Sequence, residues 1–448
     1  MDSRPSRHRG NSLFVRSIAN PRLLAFEALV EVELHGAYSN LILPKMLSSS
    51  SLSASDRALA SELVYGSLRL KGRHDRYISA VSDRRIEEID SKALLVLRLG
   101  VHQLKELRVP SYAAINESVE LAKHVVGKST ASFINAILRK VDSLTLDQLS
   151  QSEDRQHQLS ENFSHPEWIV SSYFDSLKNA DEVSALLQAN NVPAKPTLIA
   201  WPGLSSQEEL CDAGAEAIAG SDVAAVLDGD PGTIPAIRER RAGVQDRGSQ
   251  EVTEIFLATH ESGLRWLDLC AGPGGKAAYI SSFLKLHGGE FVANEPSEMR
   301  VGLVEQVVHY GKVVSFDGRE IPTELGTFER ILLDAPCTGI GALRRRPEVR
   351  WRRTLQDLKN LTVLQSQLLD SAASKLRTGG VIAYVTCSSH QAETTFQIRS
   401  FLRRHSDFEI RPIGDSRADL DGNLQLWTHR DDCDSMFISL LTRVRAHE

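Results

Sequence analysis

Cysteine is scarce in this chain: five among 448 residues, at Cys211, Cys270, Cys337, Cys387 and Cys433. No two lie within four residues of each other, so the close pair that opens a zinc site is missing and no metal is expected. An odd, sparse set also argues against a disulfide framework. No apolar run reaches the roughly 18 residues that a membrane helix needs. Met1 to Ser12 is polar and arginine-bearing, unlike a signal peptide. A cytoplasmic protein without membrane contact is expected. No internal repeat is evident, which excludes solenoids and propellers. The length and the 42% hydrophobic content suit two or three ordinary globular domains.

Charge is unevenly spread. The chain totals −6, yet its first 150 residues are net basic and the remainder net acidic. A basic front half is compatible with a polyanionic partner, and as readily with a solvated helical surface. Residues 1–17 carry Arg4, Arg7, Arg9 and Arg16 with little apolar content and read as a disordered basic arm. Residues 18–145 read as all helix. Pro21 suits a first helical turn, and Ala25, Ala28, Leu29 and Val32 fall on one face. Asp56 is placed to cap the next helix, which carries Leu59, Leu63 and Leu70. Ala93 to Leu107 is strongly apolar until Pro110 breaks it, Ile115 to Val125 resumes, and Phe133, Ile134, Ile137, Leu138 and Val141 make a last stripe. Arg69, Lys71, Arg73, Arg76 and Arg84 cluster here, as a solvated face or as an RNA face.

Residues 146–165 are polar and read as a linker. Pro166 opens a helix, Asn190 to Pro193 ends the helical region, Thr197–Trp201 reads as a strand, 206–219 as a helix and 228–235 as a loop. Residues 146–244 are thus expected to form a linker and a small α/β subdomain. From 245 to 448 strands alternate with helices, at Leu264–Leu269, Glu290–Ala293, Val313–Phe316, Arg330–Leu333 and Val381–Val385. That pattern predicts a doubly wound α/β domain with a mostly parallel sheet.

In such sheets ligands sit beyond the carboxyl ends of the strands, and the unusual residues of this chain fall there. The first strand leads into Cys270-Ala271-Gly272-Pro273-Gly274-Gly275-Lys276, whose glycines let backbone approach a ligand closely. It is not a P-loop: Cys270 stands at the first glycine position, and Ala277 replaces the Ser or Thr after the lysine. The second strand leads to Glu295, 20 positions past Gly275, where a carboxylate suits a ribose diol. Asp317 follows the third strand. Gly274, Glu295 and Asp317 are expected to line one pocket. The fourth strand ends in Asp334-Ala-Pro-Cys337-Thr-Gly339 and the fifth in Thr386-Cys387-Ser388. Two cysteines on one sheet edge beside a carboxylate point to covalent chemistry. Arg344 to Arg353 holds six arginines and a tryptophan directly after the Asp334–Gly339 turn, as a nucleic-acid contact or a solvated loop.

Taken together, Leu267-Asp-Leu-Cys-Ala-Gly-Pro-Gly-Gly-Lys276, Asp334-Ala-Pro-Cys-Thr-Gly339 and Thr386-Cys-Ser388 resemble the RNA cytosine-5 methyltransferases that use S-adenosylmethionine. Residues 18–145 resemble the NusB-like RNA-binding domain at the front of the bacterial ribosomal small-subunit members, the Sun/Fmu branch. Two departures stand out: Glu295 where Asp is more usual, and His390-Gln-Ala-Glu393-Thr in place of the common Pro-Glu-Glu-Asn. The resemblance implies a Rossmann-like class I methyltransferase domain behind a NusB-like helical one. It implies methyl transfer to carbon 5 of a cytosine in small-subunit ribosomal RNA, with Cys387 as nucleophile, Cys337 assisting release and Asp334 holding the base. Cys270 to Lys276, Glu295, Asp317 and Asp334 would bind S-adenosylmethionine. The expected protein is a monomer. The same chemistry on tRNA, or a non-catalytic RNA-binding assembly or antitermination factor, are the alternatives.

Overall fold

A computed structural model of the chain describes residues 19–149 and 154–444, which divide into two compact units on either side of Glu153 and Asp154. The basic arm expected at 1–17 lies outside the described residues. No described helix is long and apolar enough to cross a membrane, and no group of metal-ligating side chains occurs among the described residues.

The first unit is built of helices. Pro21–Glu33 begins as expected: Asn20 accepts from the Arg22 and Leu23 N–H groups, and Pro21 has no N–H to leave unpaired. Its Ala25, Ala28, Leu29 and Val32 enter one core with Leu63, Leu97 and Leu138 from later helices. Ser91–Lys105 runs through the middle, buried without a break from Ala93 to Gln103. Asp56 does not cap its helix. Ser53 does, accepting from the Asp56 N–H at 3.2 Å, while its hydroxyl donates to the Asp56 carboxylate at 2.7 Å. Asp56 instead puts its charge in the first turn, where the helix dipole favours it.

Most of the basic segment of this unit is engaged within it. Arg69 is 4% exposed, Lys71 pairs with Glu33, and Arg73 pairs with Glu106 at 3.0 Å. Arg76 donates to the Leu149 carbonyl, and Arg84 lies 5.1 Å from the centre of the Phe133 ring. Lys71, Arg73 and Arg76 are thus engaged within the unit, while Arg84 remains exposed.

The second unit opens with helices Arg155–Phe163, Glu167–Leu177 and Ala180–Ala189. The polar stretch read as a linker is therefore partly helical. It buries little more than Leu159 and Ser160, too few apolar positions to show a period. A four-stranded antiparallel sheet follows: β1 (Thr197–Ala200), β2 (Glu216–Ala217), β3 (Ala224–Val226) and β4 (Ala242–Val244), in the order β2-β3-β1-β4. The helix expected at 206–219 stops at Asp212, because Gly214 takes φ +101° and turns the chain into β2.

The large sheet contains β5 (Arg265–Asp268), β6 (Glu290–Asn294), β7 (Lys312–Val314), β8 (Phe328–Asp334), β9 (Leu376–Thr386), β10 (Phe408–Ile410), β11 (Leu424–Gln425) and β12 (Phe437–Arg443). Its order is β10-β12-β9-β8-β5-β6-β7, with β11 paired to β12. The five strands from β9 to β7 are parallel, and β12 and β10 add antiparallel edges. Apolar clusters cover both faces, which is why the central strands read as unbroken apolar runs. The chain winds outward from β5 through β6 to β7, then returns to β8 on the other side of β5. That reversal opens a crevice at the carboxyl ends of β5 and β8.

Candidate active site

Parallel pairing of β8 with β9 sets Asp334 opposite Val385. The two cysteine loops therefore leave the sheet side by side. Cys337 and Cys387 face each other with 3.3 Å between their sulfurs. The backbone holds this approach closely. Gly341 N–H donates to the Cys387 carbonyl at 3.0 Å, and Ser435 N–H to the Gly341 carbonyl at 2.9 Å. A Cβ on Gly341 would lie 2.0 Å from the Ser435 carbonyl oxygen, so no larger residue fits there.

The two thiols are not equivalent. The hydrogen bond from Cys337 pulls the Cys387 thiol below its ordinary pKa, against burial and the Asp334 charge, with Arg346 and Lys276 adding positive potential. Cys337 is pushed well above the ordinary range by that same bond, by burial and by the charges of Glu393 and Asp334. The surroundings therefore favour a thiolate at Cys387 over one at Cys337. Cys270 is a third thiol near the crevice, raised well above the ordinary range by burial and by Asp268, Asp334 and Glu295, so it stays protonated. Lys276 donates to Asp334 at 2.7 Å; burial opposes its ammonium, but the carboxylate outweighs burial and keeps it charged.

A further carboxylate joins the two thiol loops. Glu393 is buried and accepts from Thr338 N–H at 2.8 Å, from the Thr338 hydroxyl, from the Ser388 hydroxyl at 2.6 Å and from Gln365 Nε2 at 3.1 Å. Its backbone carbonyl accepts from the Tyr384 hydroxyl at 2.9 Å. Sequence reading treated this stretch only as a departure from a motif; the donors 55 residues upstream are invisible locally.

Residues 254–442 match the family described as 16S rRNA methyltransferase RsmB/F, and residues 19–143 match the NusB family. Nearly the whole chain aligns with a Mycobacterium tuberculosis protein bearing only the general name methyltransferase, 38% identical over 96% of this chain and 98% of the relative. It also aligns with a Bacillus subtilis protein named probable ribosomal RNA small subunit methyltransferase B, 30% identical over 93% of this chain and 97% of the relative. The chain belongs to the RsmB/F family. The crystal structure of PH0851 shares its fold, with a TM-score of 0.81 at 21% identity over 96% of this chain and all of that one. NSun6 from Pyrococcus horikoshii, solved with SFG, covers 62% of this chain and 98% of its own at 18% identity and a TM-score of 0.54.

RsmB/F proteins are S-adenosylmethionine-dependent, and the ends of β5 and β6 fit that cationic cofactor. The helix Gly275–His287 begins on Gly274, whose φ of +118° turns the loop. Glu295 is 2% exposed; its Oε1 accepts from Ser297 N–H and from Arg300, each at 2.8 Å. Its Oε2 lies against the loop: a Cβ on Gly272 would sit 1.9 Å from it. Asp268, named in the sequence only as part of a motif, is buried with Oδ2 lacking a partner, and burial with the Asp334 charge pushes it up to about 8. An unpaired buried carboxyl beside a glycine loop suits a ligand bearing positive charge and N–H donors. Asp317 is half-exposed and bound to its neighbour Arg319 at 2.9 and 3.0 Å, which holds it down to about 2, while Asn294 beside Glu295 is hydrogen-bonded to the backbone of Phe316 beside Asp317.

Asp268 gives the ligand-free protein a pH signature. An unfolded aspartate ionises near about 3.9, whereas folded Asp268 holds its proton up to about 8. Between those values the unfolded chain sheds a proton that the native state keeps, so this group lowers stability progressively as pH rises. Asp268→Asn removes the effect. Its melting temperature relative to the unchanged protein should be higher at pH 8.5 than at pH 4.5; an offset that does not change with pH contradicts the assignment.

The arginine run is mostly structural in this RsmB/F protein. Arg350 is 0% exposed and donates to the Ser164 and Asn190 carbonyls and to Asn191 Oδ1. Arg344 pairs with Asp432, Arg345 with Asp434, and Arg353 donates to the Thr338 carbonyl. Arg346 is the exposed one of the six. Arg350→Met should cost on the order of 3 kcal/mol by leaving buried carbonyls unpaired, without changing RNA affinity of the folded protein. Arg346→Ala should do the reverse. Urea unfolding and filter binding check both.

Proposed function

We propose that this RsmB/F-family protein methylates carbon 5 of a cytosine in small-subunit ribosomal RNA through a covalent bond between Cys387 and carbon 6. The observation that carries the reading is the pair of sulfurs 3.3 Å apart at the ends of paired strands, beside Asp334 with Lys276 against it. Carbon 5 of cytosine is a poor nucleophile, and addition of a thiolate at carbon 6 makes it enamine-like. S-adenosylmethionine supplies the electrophilic methyl group. Cys270 to Lys276 would bind it with Glu295 and Asp268, and Asp317 would join them once released from Arg319. Asp334, with the Lys276 ammonium against it, accepts a hydrogen bond from the base; Lys276 balances charge as Cys387 adds. In release the carbon 5 proton passes to water, its bonding pair restores the carbon 5–carbon 6 double bond, and the carbon 6–sulfur pair returns to Cys387 as thiolate, with Cys337 assisting by its hydrogen bond to that leaving sulfur. Residues 18–145 would supply RNA binding, residues 146–244 the connection and residues 245–448 the chemistry.

The test is transfer from S-adenosylmethionine carrying a tritiated methyl group to small-subunit RNA and, in parallel, to tRNA, followed by bisulfite sequencing. Protected cytosine in the ribosomal RNA alone is expected. Protection only in tRNA would move the substrate, and a methyl group at a position other than carbon 5 would overturn the reading.

A further inference from the structure

The residue that follows each cysteine binds the same carboxylate. Thr338, after Cys337, gives Glu393 both its N–H and its hydroxyl; Ser388, after Cys387, gives its hydroxyl at 2.6 Å. Gln365 binds this carboxylate at 3.1 Å and also the Pro336 carbonyl at 2.9 Å, so the loop ahead of Cys337 is tied from a second side. Glu393 is 0% exposed, and no lysine or arginine pairs with it among the described residues. A buried, unpaired charge is costly even when hydrogen-bonded. An amide could not replace it without loss, because a carboxylate is acceptor-only and all four groups around it donate.

We infer that Glu393 is the positioning residue of the two-thiol site: its carboxylate clamps the Cys337 and Cys387 loops together, and its fixed negative charge directs the proton shared by the two sulfurs onto Cys337. The inference rests on the covalent reading above for its purpose, but not for its test. The Glu393 charge raises Cys337, the Asp334 charge raises both thiols, and Arg346 and Lys276 favour the thiolate of Cys387. With the proton on Cys337, Cys387 is the nucleophile and Cys337 its hydrogen-bond donor. Without the charge, either sulfur can hold the proton.

The experiment uses the full-length protein without RNA or cofactor. A limiting amount of iodoacetamide is applied at pH 7.5, and mass spectrometry measures how the label divides between Cys337 and Cys387. In the unchanged protein nearly all label is expected on Cys387. Glu393→Gln keeps the shape and removes the charge; the share on Cys337 should rise at least fivefold. Glu393→Asp restores the charge and should return most label to Cys387, which a merely structural role would not produce. An unchanged division in Glu393→Gln overturns the proposal. If Glu393→Gln does not fold, the clamp is read from Thr338→Val and Ser388→Ala. Each should move label from Cys387 toward Cys337, and an unchanged division in both overturns the proposal. Label division is independent of methyl transfer. A protein that labels as expected but does not methylate cytosine defeats the proposed function alone, and one that methylates cytosine but labels without regard to Glu393 defeats this inference alone.

Discussion

Cys387→Ala is expected to abolish methyl transfer and to form no covalent complex with RNA, whereas Cys337→Ala is expected to become trapped on its methylated product. The difference follows from the paired sulfurs. Cys387 is the one biased to thiolate, so its loss would remove the nucleophile of the proposed reaction. Cys337 holds the proton, so its loss leaves addition possible while hindering the later step in which the carbon 6–sulfur bond breaks. Denaturing gels with radiolabelled RNA should show a retarded band for Cys337→Ala alone. The double variant should match Cys387→Ala, because no adduct forms without the nucleophile. A band with Cys387→Ala reverses the roles. Absence of a band in both, with both folded and binding RNA, removes the release role of Cys337. The single thiolate-supporting bond lost in Cys337→Ala should also slow addition roughly 10- to 100-fold, since a charge-assisted hydrogen bond contributes about 1.5–3 kcal/mol.

The second large effect is expected at Glu295. Its Oε1 is occupied by Ser297 and Arg300, while Oε2 lies against Gly272 and is the atom left for a ribose hydroxyl. Glu295→Gln keeps the side chain's size and removes its charge. Loss of one charge-assisted hydrogen bond, about 1.5–3 kcal/mol, weakens S-adenosylmethionine binding roughly 10- to 100-fold. Calorimetry of the ligand-free protein measures it directly. Equal affinity in the two proteins, with equal melting temperatures, would show that another group holds the ribose. Gly272→Ala offers a steric companion test, because its Cβ would collide with that same oxygen and should weaken binding while leaving the Glu295 charge in place.

The central features of this protein were legible in the sequence because they are local. An apolar run ending in Asp334-Ala-Pro-Cys337, and another ending in Thr386-Cys387-Ser388, mark strand ends wherever the strands pack. The helical character of the first unit and the alternation of the second follow from apolar periods that any segment carries by itself. What packing alone decided involves residues far apart in the chain. Parallel pairing of β8 with β9 brought the sulfurs to 3.3 Å. Burial left Asp268 with an unpaired oxygen, and Arg350 became an interior strut while Arg346 stayed outside. Asp317 gained an ion pair with Arg319. Glu393 became the junction of both thiol loops through a donor 55 residues away. A side chain's type states what bonds it can form, but its burial and its partners depend on which distant segments fold against it, and those set the charge and proton placement on which the chemistry rests.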